Sequence, residues 1–182
     1  IGSVPNAVCQ GLMNHNDLGV HTELISSGLV DLIQRGVITN RKKTLYPYQT
    51  VFTFATGTKE MYEFLHDNPS ICCLPVSYVN DPYVIGQNDG MVSVNSFLEI
   101  DFSGQVNAEF LGHQFSGPGG QLDFVRGAYY SKGGKSILAS HSTGKNGQVS
   151  KIVPRLTSLV TDTRIDVDYV ATEYGCCKLR GK

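Results

Sequence analysis

The sequence predicts an α/β protein, a layered mixed β-sheet flanked by helices with a β-hairpin insertion. Three observations support this. Strand-like and helix-like segments alternate through the first half of the chain. A run of alternating residues at 92–102 meets Ser103-Gly104 and turns back through Gln105-Val106-Asn107-Ala108, which reads as a hairpin. A glycine-rich loop, Gly117-Pro118-Gly119-Gly120, opens a helix carrying Phe124, Val125 and Ala128 on one side.

The elements follow in order. Pro5 sits near the first turn of a helix running to Met13, directly after Gly2-Ser3-Val4. Leu29, Val30, Leu32 and Ile33 have helical spacing, and Gly36 ends that helix. Residues 51–55 (Val-Phe-Thr-Phe-Ala) are a buried strand, and 59–66 a helix with Met61, Tyr62, Phe64 and Leu65 on its apolar side. Residues 71–79 read as a strand ended by Asn80-Asp81-Pro82. In 92–102, Val92, Val94, Leu98, Ile100 and Phe102 are expected to share a buried face. Further strands are expected at 136–139, 149–153 and 165–170. No linker or repeat interrupts the 182 residues, which favours one domain.

Composition excludes several classes. The formal net charge is -1, so no basic excess draws the chain to nucleic acid or an anionic membrane. Arg41-Lys42-Lys43, the one compact basic run, is expected to be a solvated turn. No apolar run approaches the roughly 20 residues that cross a bilayer. Five cysteines, an odd count with two adjacent pairs, do not form a disulfide framework, so a reducing, cytoplasmic compartment is expected. The histidines and cysteines show no metal-ligand spacing, and no metal is expected.

The candidate chemistry centres on Glu23, between an apolar approach and Ser26-Ser27-Gly28. By itself it reads as a paired surface glutamate or as a nucleophile near backbone donors. Gly2-Ser3-Val4 and Gly119-Gly120 could supply such donors, since both precede helices. Asn80 could hydrogen-bond a carboxylate or satisfy its own turn. Ser93, Asn95 and Ser96 lie on a strand with opposed parity, so only part of that set can line a pocket. Lys132, Lys135, Lys145 and Lys151 surround glycine-rich turns and could meet cofactor phosphates or face solvent. Glu173 ends an apolar strand, a position suited either to a site or to a structural cap.

These segments occur together, in this order, in one family. IGSVPNAV (1–8), DLGVHTELISSGLVDL (17–32), GVITN (36–40), PVSYVNDP (75–82), MVSVNSFLEIDFSGQV (91–106), GPGGQLDFVRGA (117–128), SKGGKSI (131–137), SKIVP (150–154) and DVDYVATEYGCCKLRGK (166–182) carry the likeness. The chain resembles the family I CoA-transferases of the acetyl-CoA hydrolase/transferase type, nearest to the 4-hydroxybutyrate or butyrate:acetate branch. Ser27, where an acidic residue is usual, and Cys176-Cys177, in place of small apolar residues, depart from the pattern. The likeness is to the second half of a longer two-domain enzyme, so residues 1–182 are expected to be its C-terminal catalytic domain.

The resemblance implies roles by position. Glu23 is the nucleophile, Gly120 and Val4 supply oxyanion-hole N–H groups, and Asn80 and Glu173 sit near the reacting groups. Gly2, Ser3, Val4, Asn95, Gly119, Gly120 and Lys145 are expected at coenzyme A. It further implies an acyl-CoA and a short-chain carboxylate as substrates, CoA as cosubstrate without a metal, the missing N-terminal half as partner, and a homo-oligomer. The expected reaction moves CoA to the carboxylate through a glutamyl-CoA thioester. The alternatives are acyl-CoA hydrolysis on the same scaffold, or an inactive CoA-binding or assembly half when isolated.

Overall fold

The computed structural model describes residues 3–181. Its elements in chain order are α1 (Ser3–Gly11), β1 (Leu24–Ile25), α2 (Ser27–Gln34), β2 (Thr50–Phe52), β3 (Phe54–Ala55), α3 (Lys59–Leu65) and β4 (Ile71–Cys73). α4 (Val76–Val79), α5 (Pro82–Gly86), β5 (Val92–Ser96), β6 (Glu99–Asp101), β7 (Val106–Asn107) and α6 (Gln121–Tyr130) follow. β8 (Lys135–Ala139), β9 (Thr143–Gly144), β10 (Val149–Ser150), β11 (Ile152–Val153), β12 (Tyr169–Thr172) and β13 (Gly175–Lys178) complete the chain.

The architecture is mixed α/β, with the strands divided among several small sheets rather than one. The largest runs β13-β12-β8-β5. Its β5, β8 and β12 are parallel, and β13 closes one edge antiparallel. A second sheet, β11-β6-β7, contains the expected hairpin as the antiparallel β6–β7 pair. The first half contributes two-stranded parallel pairs, β2 with β4 and β1 with β3.

Several expected strands are shorter than their apolar runs. Residues 51–55 divide between β2 and β3, which pair with different partners. Residues 71–79 are a strand only through Cys73; Pro75 then caps α4. Proline has no N–H for a ladder but is tolerated where a helix begins. Residues 92–102 are not one strand, because the chain leaves the largest sheet after Ser96 and enters the second at Glu99. The expected buried face breaks there: Phe97 is 2% exposed, whereas Phe102 is 76% exposed. Alternation cannot be continued across a change of sheet. Residues 149–153 divide between β10 and β11, and the last parallel strand begins at Tyr169, not 165. Residues 163–166 instead form a turn in which the Thr163 hydroxyl donates to Asp166 at 2.7 Å.

The basic run is only partly solvated. Lys43 turns inward and donates to the carbonyls of Val20 and Gln49 at 2.8 and 2.7 Å. Burial pushes its ammonium down to about 8.

Four apolar clusters hold these elements together. Phe97, Ile100, Val106, Val125, Leu138, Val167 and Val170 join the two larger sheets to α6. Cys9, Val20, Leu32, Val37 and Ile38 seat α1 on α2. Ile25, Val30, Phe52 and Met61 tie α2 and α3 to the first-half strands. Val51, Val79, Ile85 and Phe124 lock α4, α5 and α6 around β2. Each fully buried aliphatic side chain contributes about 1.5–3 kcal/mol of transfer free energy. α5 and α6 pack unusually closely, because a Cβ on Gly127 would overlap the Ile85 side chain. No helix among the described residues is long and apolar enough to cross a membrane.

The β6–β7 turn is built on one carboxylate. Buried Asp101 accepts from the Ser103 N–H and hydroxyl (2.9 and 2.7 Å), the Gln105 N–H and side-chain amide (3.1 and 2.9 Å) and the Leu156 N–H (3.2 Å). Burial by itself would raise its pKa, but these donors outweigh it and hold the group well below the usual carboxylate range. Asp101→Asn is expected to cost about 1–3 kcal/mol at neutral pH, measured by urea denaturation. Since the folded pKa is depressed, this contribution is complete above the unfolded value of about 4. It is lost as pH falls through the folded value, so the difference between wild type and variant should shrink on acidification.

Candidate active site

Glu23 lies in the bend that enters β1, and its backbone is pinned by the next strand segment. The N–H groups of Thr53 and Phe54 both donate to the Glu23 carbonyl at 3.1 Å. One residue earlier, the Thr22 N–H donates to Val51 O at 3.0 Å. The carboxylate emerges half-buried from this frame.

Asn80 meets it from the junction of two short helices. It is the last residue of the α4 turn, and Asp81 caps α5 by accepting from the Tyr83 N–H at 2.8 Å. The tight α5–α6 contact holds that junction against the start of α6. There the Asn80 carboxamide N–H donates to Glu23 Oε2 at 2.5 Å. A carboxylate is acceptor-only, so this also assigns Nδ2 to the Glu23 side. Asn80 Oδ1 is buried with no hydrogen-bond partner among the described residues.

The third component is backbone. Gly119 has φ +57 and buried Gly120 caps α6 with no side-chain donor or acceptor of its own. A Cβ on Gly120 would overlap both Glu23 Oε2 and Asn80 Nδ2 and lie 2.9 Å from Asn80 Cγ. A Cβ on Gly119 would lie 3.5 Å from Glu23 Oε1. The carboxylate thus rests against the chain where α6 begins, and the first N–H groups of a helix have no intrahelical acceptor. Gln121, the next residue, is anchored from behind by its side-chain donation to Asp162 at 2.6 Å.

A cavity of about 540 Å³ opens over this group, lined by Glu23, Phe54, Val76, Ser77, Asn80, Asp81, Gly119 and Asp123. Phe54 and Val76 form an exposed apolar rim. The titratable lining is acidic: Glu23, Asp81 and Asp123. Burial, then the neighbouring charge of Glu23, raises the Asp123 pKa, so this carboxyl keeps its proton to higher pH than usual.

Glu23, Asn80, Gly119 and Gly120 therefore converge as the sequence suggested. The other expected residues lie apart from this cavity lining. Glu173 follows β12 and accepts from the Ser142 N–H and hydroxyl at 2.7 and 2.6 Å. The Ser142 hydroxyl, then its N–H, lowers the Glu173 pKa. Asn95 is on β5, where its amide donates to Ser93 Oγ at 2.9 Å. Lys145 has φ +47 in the β9–β10 turn. Ser3 and Val4 are inside α1 rather than in a turn before it, and α1 packs on α2 and β5. Gly2 is outside the described residues. The residues missed by sequence reading are the cavity walls, Phe54, Val76, Ser77 and Asp123. They are remote in sequence from Glu23; Val76, Ser77 and Asp123 lie inside segments that carry the family likeness, but nothing local marked them as cavity walls. Among the described residues, no cluster of three or more His, Cys, Asp or Glu is arranged to hold a metal ion.

Comparison with known proteins identifies the family. The chain belongs to the acetyl-CoA hydrolase/transferase family, whose C-terminal domain matches residues 57–182. It is 51% identical over its whole length to succinyl-CoA:cyclohexane-1-carboxylate CoA transferase of Geobacter metallireducens, covering 42% of that protein. It is also 51% identical to 4-hydroxybutyrate coenzyme A transferase of Clostridium kluyveri, covering 43%. All of the chain superposes on RipA from Yersinia pestis with a TM-score of 0.95 at 56% identity, over 42% of that chain. The chain thus spans less than half the length of the relatives it matches.

Gly120→Ala is expected to break the Asn80–Glu23 hydrogen bond, because its methyl group must occupy the same space. A crystal structure of the variant should show that separation beyond 3.5 Å, and thermal unfolding a loss of about 1–3 kcal/mol from overpacking.

Proposed function

We propose that this chain is the nucleophile-bearing part of an acyl-CoA:carboxylate CoA-transferase, and that Glu23 is the nucleophile. The observation that carries the reading is the Glu23 carboxylate, hydrogen-bonded to Asn80 at 2.5 Å and pressed against Gly120 at the floor of an open cavity.

Glu23 attacks the acyl-CoA carbonyl, the C–S bond breaks, and a mixed anhydride and CoA thiolate form. The thiolate then attacks the glutamyl carbonyl and expels the first carboxylate, leaving a glutamyl-CoA thioester. The acceptor carboxylate attacks that thioester and the same steps run in reverse. Thioester energy is retained because the acyl bond passes through Glu23 and not to water. Asn80 holds the carboxylate in one orientation before attack, which reduces the reorganisation needed at the transition state. The backbone N–H at Gly120, against the carboxylate, is assigned to the oxyanion of each tetrahedral stage, where one donor is worth about 2.7–4 kcal/mol, and Val4, in the first turn of α1, is assigned as the second donor from the family likeness alone.

Coenzyme A is the cosubstrate. A short-chain carboxylate is the acceptor class, in line with the 4-hydroxybutyrate named for the Clostridium kluyveri relative. Lys145, Asn95 and the start of α1 remain assigned to CoA, and Glu173 to a second carboxylate of the completed site. The apolar rim at Phe54 and Val76 suits closure by the additional length that the relatives possess. Hydrolysis is the second reading, favoured by more distant relatives such as the acetyl-CoA hydrolase of Candida albicans, 29% identical.

Incubation of the full-length protein with acyl-CoA, borohydride reduction and mass mapping should place the modification on Glu23; an unmodified Glu23 overturns the reading. Glu23→Gln should lower turnover by at least about 10³-fold, as expected when the nucleophile is removed. Adding acetate to butyryl-CoA should yield acetyl-CoA if transfer dominates, whereas free thiol without acetyl-CoA would establish hydrolysis.

A further inference from the structure

His21 is two residues before Glu23, is not among the residues that line the cavity, and takes no part in the chemistry above. It is 6% exposed, and its ring lies between the end of α4 and the first turn of α6. Its Nε2 is 2.8 Å from the carbonyl of Val79, the residue before Asn80. Only a protonated nitrogen can bond a carbonyl oxygen, so Nε2 carries the proton. Its ring lies 6.1 Å from that of Phe124, tilted by 51°. Phe124 is on the first turn of α6, and its N–H donates to Gly120 O at 3.0 Å. The backbone at His21 pairs in parallel with Val51, the strand that continues to Thr53 and Phe54 behind Glu23.

We propose that His21 is a positioning residue for the Glu23 carboxylate, joining the Glu23 bend to the α4 terminus that carries Asn80 and to the helix opened by Gly120. The inference rests on the reading of Glu23 as nucleophile. Val79 O is one of the carbonyls that a helix end leaves without an intrahelical donor. α4 spans four residues and has little stability of its own. The imidazole supplies a fixed donor there, so the adjacent Asn80 carboxamide cannot rotate away with a loosened terminus. Burial, opposed by the bond to Val79 and assisted by the Lys43 charge, lowers the His21 pKa and keeps the ring neutral. Its Nδ1 is buried without a partner among the described residues. A neutral ring with one N–H is the form that this site accommodates.

The test uses the full-length protein with His21→Phe, which keeps the ring contact and loses the donor, and His21→Gln, whose amide nitrogen can replace Nε2. The readout is the single-turnover rate of borohydride-reducible thioester formation on Glu23. His21→Phe should slow it on the order of 10- to 100-fold, the scale of a small misplacement of a reacting group. KM for acyl-CoA should change little, and His21→Gln should restore most of the rate. Because His21 acts through Asn80, His21→Phe in an Asn80→Ala background should add less than about a twofold loss. The proposal is overturned if His21→Phe leaves the rate unchanged, if His21→Gln is as slow as His21→Phe, or if the loss is as large without Asn80. If circular dichroism shows His21→Phe unfolded, His21→Asn, too short to reach Val79 O, takes its place with the same expectations. A wild-type protein that forms no Glu23 adduct refutes the nucleophile reading instead. The Asn80 side-chain amide resonance, recorded without substrate, then decides His21: it must move in the variant, and an unmoved resonance overturns the proposal.

Discussion

The hydrogen bond between Asn80 and Glu23 fits into a space that exists only because residue 120 has no side chain. A half-buried carboxylate needs donors, or it shifts its pKa or swings to water. Here one donor arrives from the end of a four-residue helix and the surface beneath it from the start of another. Neither helix terminus is near Glu23 in sequence. The close α5–α6 contact makes both converge, and the buried cluster of Val51, Val79, Ile85 and Phe124 fixes that contact from behind. The site is therefore a product of the core below it: a shift in any of these apolar side chains is transmitted to the orientation of one carboxylate.

The charge around that carboxylate is uneven. Asp81 and Asp123 share its cavity, and Asp123 keeps its proton to higher pH because burial and the Glu23 charge both oppose its ionisation. Asp81 is occupied in capping α5. This leaves Glu23 as the carboxylate directed by a side-chain donor into the cavity. The contrast with Asp101 is instructive. That carboxylate has five donors and is spent on holding a turn. Glu23 Oε2 has its Asn80 donor, and its other oxygen faces the glycine loop and the cavity. A carboxylate saturated with hydrogen bonds is a poor nucleophile, so the sparse partnering of Glu23 suits a group that must form and break a bond.

Much of the architecture was legible from local signals. The α2 and α6 helices, the Gly36 stop, the β6–β7 hairpin and the glycine entry to α6 follow from spacing and turn chemistry that act over a few residues. Three of the departures share one cause. Residues 51–55 and 92–102 are apolar or alternating runs, and each divides between sheets or partners, as does the mixed segment 149–153. An apolar run records that a segment is buried, not which neighbour buries it. Pro75 was the one local warning that a strand ends early, and the helix after it delivers Asn80.

The order of residues by itself determined the family, through long segments in a fixed order, and that likeness singled out Glu23, the asparagine before Asp81-Pro82 and the glycine pair before α6 as candidates. Tertiary structure decided that Glu23, Asn80 and Gly120 touch, that Phe54, Val76 and Asp123 wall the same cavity, and that Glu173 is bound to Ser142. The physical reason is distance along the chain. Local conformation is governed by each residue and its near neighbours, whereas contacts across 57 positions, as between Glu23 and Asn80, exist only once the intervening core has packed.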